Sequence, residues 1–249
     1  MGKRIFTGII CFFFITIGLS AQSVEEQGRD LLIKADQILF VEEGTYQVFL
    51  KSQDERERIR EYELEAYKKG RRRQTTVWIS PRVNRNDVGM RKDRTMYFKP
   101  ANLPSPNLYS YKTVFVESDF SWGDIMSSDM AYDYKVRRLE EVDFEGKEAY
   151  LLVLSPNRDE FYAGIEVYLE KGSFRTLKRV YLTASGEILK EAYYSDFSES
   201  NGQITGFRVL MVDEFMGTQS EAVISDIENK NVPESLFNPS NIGRIRASR

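Results

Sequence analysis

The chain has 249 residues with 35 Lys and Arg against 38 Asp and Glu, a formal charge of -3, no histidine and one cysteine. Ser-His-Asp hydrolysis, Cys-His nucleophilic catalysis and His-ligated zinc are therefore excluded. Hydrophobic residues make up 41% of the chain and aromatics 13%, enough for a substantial core in one or two domains, and the acidic balance gives no electrostatic basis for a nucleic-acid partner.

Residues 1–23 open with Lys3 and Arg4, continue as an apolar run from Ile5 to Leu19 and end in small residues. This pattern predicts a cleaved signal peptide, cut after Ala21 or, slightly preferred, after Ser23. The run is short for a membrane span, and the chain turns acidic at Glu25 and Glu26. Cys11 lies inside the run, without the small residue before it that a lipid-modification site needs. Export would leave 24–249 as a single domain without cysteine, stabilised by burial and hydrogen bonding alone.

Over Val24 to Phe40, Leu31, Leu32, Ala35, Ile38 and Leu39 recur at helical spacing and predict one amphipathic helix. After Gly44 the period becomes two. Tyr46, Val48 and Leu50, then Tyr62, Leu64 and Ala66, alternate with polar or outward positions and predict strands with one wet face. Further strands are predicted at 74–80, 95–99, 108–114, 133–140, 148–154, 163–170, 175–182, 188–195, 206–212 and 221–227. Lys69-Gly70, Glu145-Gly146, Lys171-Gly172, Ser185-Gly186 and Asn201-Gly202 supply tight turns. The sum is a mainly β fold: an incomplete, open antiparallel β-barrel of about 10–12 strands with an N-terminal helix. Ser118 to Met126 breaks the strand rhythm and is expected to be a short capped helix lying as a lid over the concave face.

An enzyme without histidine or cysteine needs paired carboxylates, a Lys or Tyr base, or an all-oxygen metal site. Asp119, Asp124 and Asp129 are five apart, which fits neither a calcium loop nor one helical face, so they read as caps and solvated groups. No phosphate loop or dinucleotide fingerprint is present. The sequence thus predicts no catalytic residue, no metal and no cofactor.

The positions expected to face inward, Tyr46, Val48, Leu50, Leu64, Val77, Ile79, Met96, Phe98, Ile165, Val167 and Leu169, form an apolar concave face. In a single-sheet barrel of this size such a face is either filled core or a ligand cavity. The basic turn residues Arg71, Arg72 and Arg73 are candidates for contact with anionic headgroups or an acidic partner, or else a solvated turn.

The segment Ser118-Asp119-Phe120-Ser121-Trp122-Gly123-Asp124-Ile125 resembles a signature of the outer-membrane lipoprotein-sorting, or LolA-like, family. Its neighbours extend the resemblance: Arg73 to Ile79 and Tyr97-Phe98-Lys99-Pro100 upstream, then Gly146 to Tyr150, Ser155-Pro156, Gly186 with Lys190, Met211 and Pro233 to Phe237 downstream. Two departures are Phe115-Val116-Glu117 in place of the family's Phe-Met-Gly, and Thr95-Met96 in place of its tryptophan. The resemblance implies a periplasmic carrier, in a bacterium with an outer membrane, that shelters acyl chains of lipoproteins or lipids. It implies an inner-membrane transporter and an outer-membrane acceptor as partners, with transient membrane contact. The concave residues would hold the chains, and Phe120, Trp122, Ile125 and Met126 would form a movable lid. A lipid-sensing regulatory module or a transporter accessory on the same fold is the alternative, with a carboxylate-based hydrolase behind it.

Overall fold

The computed structural model describes residues 23–248 apart from 55, 57, 127–129 and 159–161. The signal-peptide expectation and Cys11 fall within residues 1–22, outside the described part, as does Asp129.

Helix α1 (Val24–Leu39) begins at a reciprocal capping box: the Glu26 amide donates to Ser23 Oγ at 3.2 Å, and the Ser23 amide donates to Glu26 Oε2 at 3.0 Å. Cleavage after Ala21 would keep this cap, whereas cleavage after Ser23 would remove it. The helix buries Gly28, Leu32, Ala35 and Leu39. Gly28 is required by proximity, since a Cβ there would stand 2.5 Å from Val136 Cγ1.

All strands belong to one antiparallel sheet of thirteen among the described residues. In chain order they are β1 (Glu43–Gln53), β2 (Ile59–Lys69), β3 (Arg73–Ser80), β4 (Val88–Lys92), β5 (Thr95–Lys99), β6 (Asn107–Tyr109), β7 (Tyr134–Phe144), β8 (Lys147–Pro156), β9 (Gly164–Glu170), β10 (Thr176–Leu182), β11 (Ile188–Ser200), β12 (Gln203–Asp213) and β13 (Thr218–Asn229). Every neighbour is sequential except one pair, β1 beside β13, so β6 and β7 are the two free edges. Glu145-Gly146 and Asn201-Gly202 hold positive φ at both central turn positions, the hairpin geometry that matches strand twist. The open antiparallel sheet with its N-terminal helix is the architecture expected, with one more strand.

The additional strand is β4, and the expected strand at 108–114 shortens to Asn107–Tyr109. Beyond β6 the chain leaves the sheet, and the described residues of 110–133 connect one free edge to the other. Their place over the open mouth follows from connectivity. This crossing segment carries α2 (Trp122–Met126) and α3 (Met130–Asp133). The lid is therefore a folded loop followed by two short helices: the Phe115 amide donates to the Phe120 carbonyl at 2.8 Å, and the Trp122 amide donates to the Thr113 carbonyl at 2.9 Å.

Two apolar clusters form on opposite faces. The large one joins α1, the concave strand positions and the crossing segment. The small one contains Val77, Val88 and Met90 from the sheet with Ile242 and Ile245 from the C-terminal segment. This corrects the phase expected for β3. Leu64 pairs with Trp78 and Ala66 with Thr76, so Trp78 faces the concave core and Val77 the convex cluster. Ile79 sits at the register shift between Glu63 and Leu64 and joins neither cluster. β3 is buried on both faces, so an apolar residue at 77 does not mark the concave side, and the bulge beside Ile79 ends the regular alternation.

A plugged apolar bowl

The crossing segment acts as a plug. Phe115, Phe120, Trp122 and Met126 are buried, and Ile125 is half-buried. Trp122 packs among Phe115, Phe98, Tyr109 and Trp78, with ring centroids 4.7, 5.6, 6.0 and 6.2 Å away. Gly89 on β4 makes room for it: a Cβ there would lie 2.6 Å from Trp122 Cζ3 and 2.8 Å from Thr76 Oγ1. A glycine inside a strand marks such a close approach, and here it also obscures the strand in the sequence.

The plug is tied to the rim by polar bonds. Thr218 Oγ1 and Ser220 Oγ donate to the two Asp119 carboxylate oxygens, each at 2.5 Å, and Lys190 Nζ donates to the Asp119 carbonyl at 2.6 Å. Across the bowl, Gln74 Nε2 donates to the Ile125 carbonyl at 3.1 Å and Arg91 Nη1 to the Met126 carbonyl at 2.8 Å. Ser121 and Asp124 cap α2 reciprocally, the Ser121 amide donating to Asp124 Oδ2 at 2.7 Å and the Asp124 amide to Ser121 Oγ at 3.1 Å. Tyr162 also donates to Asp124, at 2.8 Å. Burial lifts the Asp124 carboxyl above the ordinary carboxylate range, against the lowering effect of these hydrogen bonds.

The turn that enters the plug is strained. Val116 and Glu117 hold φ of 42° and 57°, a region that costs a non-glycine residue about 1–3 kcal/mol. These are positions where Phe115-Val116-Glu117 replaces the Phe-Met-Gly of the resembling family.

Behind the plug lies a cavity of about 50 Å³, lined by Phe40, Tyr46, Val48, Phe120, Asp124, Ile125 and residues of β10–β13. Of the expected concave residues, Tyr46 and Val48 line it; Leu50, Leu64, Met96, Phe98, Ile165, Val167 and Leu169 pack in the same core without lining the cavity. Of the expected lid residues, Phe120 and Ile125 line it, while Trp122 and Met126 fill the core beside it. The sequence reading missed Arg179, Tyr181, Tyr194, Phe207, Val209 and Met211. Period-two alternation at 207, 209 and 211 was the available signal, but a buried arginine has no signature in a strand pattern.

The basic turn residues have separate intramolecular contacts. Arg72 Nη2 pairs with Asp133 Oδ1 at 3.1 Å and Arg73 Nη1 with Glu234 Oε2 at 2.8 Å, while the Arg71 guanidinium lies 3.7 Å from the Tyr132 ring centroid. Arg71 and Arg72 thus grip the end of the plug, and Arg73 grips the C-terminal segment. Among the described residues, no group of three His, Cys, Asp or Glu is placed to hold a metal ion.

A protein-family model described as uncharacterized protein matches residues 70–244. No curated protein matches the chain. Among solved structures, a LolA superfamily protein of Nitrosomonas europaea is 22% identical, with a TM-score of 0.74 over 87% of this chain and 98% of its own. A DUF1329 family protein of Desulfovibrio piger is 16% identical, with a TM-score of 0.75 over 89% of this chain and 100% of its own. A domain described as an outer membrane lipoprotein-sorting protein, from Vibrio parahaemolyticus, is 18% identical, with a TM-score of 0.73 over 88% of this chain and 100% of its own. At these identities the likeness is one of fold.

Proposed function

The chain belongs to the family described as uncharacterized protein, matched over residues 70–244, and has the fold of the LolA superfamily; from these premises we propose that it is a carrier for acyl chains. The observation that carries this reading is the plug. An apolar bowl is closed by a connecting segment that inserts aromatic side chains inward and is tied at its rim by hydrogen bonds. Each buried methylene is worth about 0.8 kcal/mol, so an acyl chain crossing water needs such a shelter.

The closed cavity of about 50 Å³ is far below the ~300–1,000 Å³ of a typical ligand pocket. Loading therefore requires withdrawal of the plug, which makes room where Phe120, Trp122 and Ile125 now pack. The strained turn at Val116 and Glu117 favours that motion by lowering the stability of the closed form. A ligand that binds only the open form then shifts the population toward it. In this reading residues 1–23 direct export to the periplasm, the domain at 24–249 acts there, no chemical step occurs, and cargo passes from an inner-membrane donor toward the outer membrane.

Locking the plug tests the reading. The sequence holds a single cysteine, Cys11, so Asp119→Cys with Ser220→Cys places a switchable disulfide where the two side chains now hydrogen-bond. Uptake of a fluorescent fatty-acyl probe should be blocked when the pair is oxidised and restored by reductant. Equal uptake in both states, or exclusion of the probe from the unlocked wild type, would overturn the proposal.

A further inference from the structure

Two buried polar atoms belong to residues lining the cavity and have no hydrogen-bond partner: Tyr46 Oη and Arg179 Nε. Tyr46 is 5% exposed and Arg179 is 8% exposed. The Arg179 guanidinium has a carboxylate, Asp36, at 4.0 Å, the outer limit of an ion pair. Its other support comes from two tyrosines, a hydrogen bond to the Tyr181 side chain and the Tyr194 ring, whose centroid lies 5.1 Å away, and Nε is left without a partner. A guanidinium is always charged and presents five donors in a planar fork. Burying it against Val48, Phe207, Val209 and Met211 without close anionic pairing is unfavourable.

The one carboxylate of the lining, Asp124, is part of the plug. Its oxygens already accept from Ser121 and Tyr162. When the plug withdraws, Asp124 leaves with it and Arg179 stays on β10. The opened bowl then offers an apolar wall with one fixed cation and, among its tyrosine hydroxyls, the unpartnered Tyr46 Oη.

We propose that the cavity takes a long-chain ligand ending in a single anionic oxygen group, a carboxylate or a phosphate monoester, bound by the Arg179 guanidinium and the Tyr46 hydroxyl. This rests on the acyl-carrier reading and narrows it. The anion supplies the acceptors that Arg179 Nε and Tyr46 Oη lack, in the charge-assisted geometry that arginine favours. The cavity of about 50 Å³ suits such a head group, while the chain takes the space that the plug gives up.

The test compares binding of cis-parinaric acid and of its methyl ester to the delipidated protein by fluorescence. The wild type should bind the acid about tenfold more tightly than the ester. Arg179→Met should lose that preference by weakening acid binding alone, and Tyr46→Phe should reduce it while retaining the charge. Competition by palmitate and by hexadecyl phosphate separates the two sources of the anion, and stronger competition by either one supports the assignment. Equal affinity of the wild type for acid and ester would overturn the anionic site while leaving the carrier intact. Binding of neither probe would overturn the carrier reading as well. The wild-type ratio decides the matter even if a variant fails to fold, and a preference unchanged in folded Arg179→Met would also refute the assignment.

Discussion

The two faces of the sheet are covered in different ways. On the convex face the C-terminal segment lies against Val77, Val88 and Met90 through Ile242 and Ile245, and is pinned along its length: Thr75 Oγ1 donates to the Leu236 carbonyl at 2.7 Å, the Ala247 amide to Asn86 Oδ1 at 2.9 Å and the Ser248 amide to Glu65 Oε2 at 3.0 Å. On the concave face the covering segment is entered through a turn with two positive φ values, and the bowl beneath contains a cavity bordered by buried polar groups without partners. The small aliphatic cluster shows how this sheet buries a face when burial alone is needed. Strain and unpaired polar atoms beneath the plug are what the proposed opening and second occupant would relieve.

Matched truncations break this comparison most forcefully. Trp122→Ala should destabilise the protein by about 3–5 kcal/mol and Ile242→Ala by about 2–5 kcal/mol, the range for large-to-small changes in a core, both read from urea denaturation. Their effects on function should diverge. Trp122→Ala should accelerate acyl-probe uptake because the plug loses its main anchor, whereas Ile242→Ala should leave uptake as it was. An equal effect of both on uptake would mean that only global unfolding admits the probe. Gly89→Ala is a gentler version of the first change. Its Cβ would press on the Trp122 ring from 2.6 Å, an overpacking worth about 1–3 kcal/mol, and should shift tryptophan emission and speed uptake while the sheet's circular dichroism stays native. A variant with wild-type emission and uptake would remove Gly89 from the seat of the plug.

Much of this comparison was legible in the sequence, and the failures have specific physical causes. Period-two patterning located β1, β2 and the hairpins because each has one wet face, and the Ser118 to Ile125 segment stood out because it breaks that period. Val77 was assigned to the wrong face because β3 is buried on both faces, and Ile242 and Ile245 of the C-terminal segment give the convex side an apolar cover that strand alternation does not reveal. The strand β4 escaped notice because Gly89 interrupts its pattern for the sake of a ring contributed by a segment over thirty residues away. Arg179 escaped because an arginine in a strand ordinarily reads as a wet position; only the assembled sheet places it on the lining of the same cavity as Tyr46, more than 130 residues distant.

The smallest expected effect concerns pH and separates the plug from the rest of the molecule. Burial raises the Asp124 carboxyl above its ordinary value of 3.8. An acid whose folded-state pKa lies above its unfolded value stabilises the fold fully below the unfolded value, and that contribution is lost as pH rises through the folded one. The groups acting on it are Ser121 on the plug itself, Tyr162, and Lys190 on β11. Asp54 and Glu43 behave oppositely, since hydrogen bonding to Arg58 and to the Val232 amide holds their carboxyls low; their contributions are present above the unfolded values and lost as pH falls. Acidification should therefore weaken the exposed surface pairs while tightening the plug. Probe uptake should slow as pH falls toward the ordinary carboxylate value, and Asp124→Asn should flatten that dependence. Stopped-flow uptake across this range provides the measurement, and a wild-type rate that rises on acidification would show that the surface pairs, rather than Asp124, control opening.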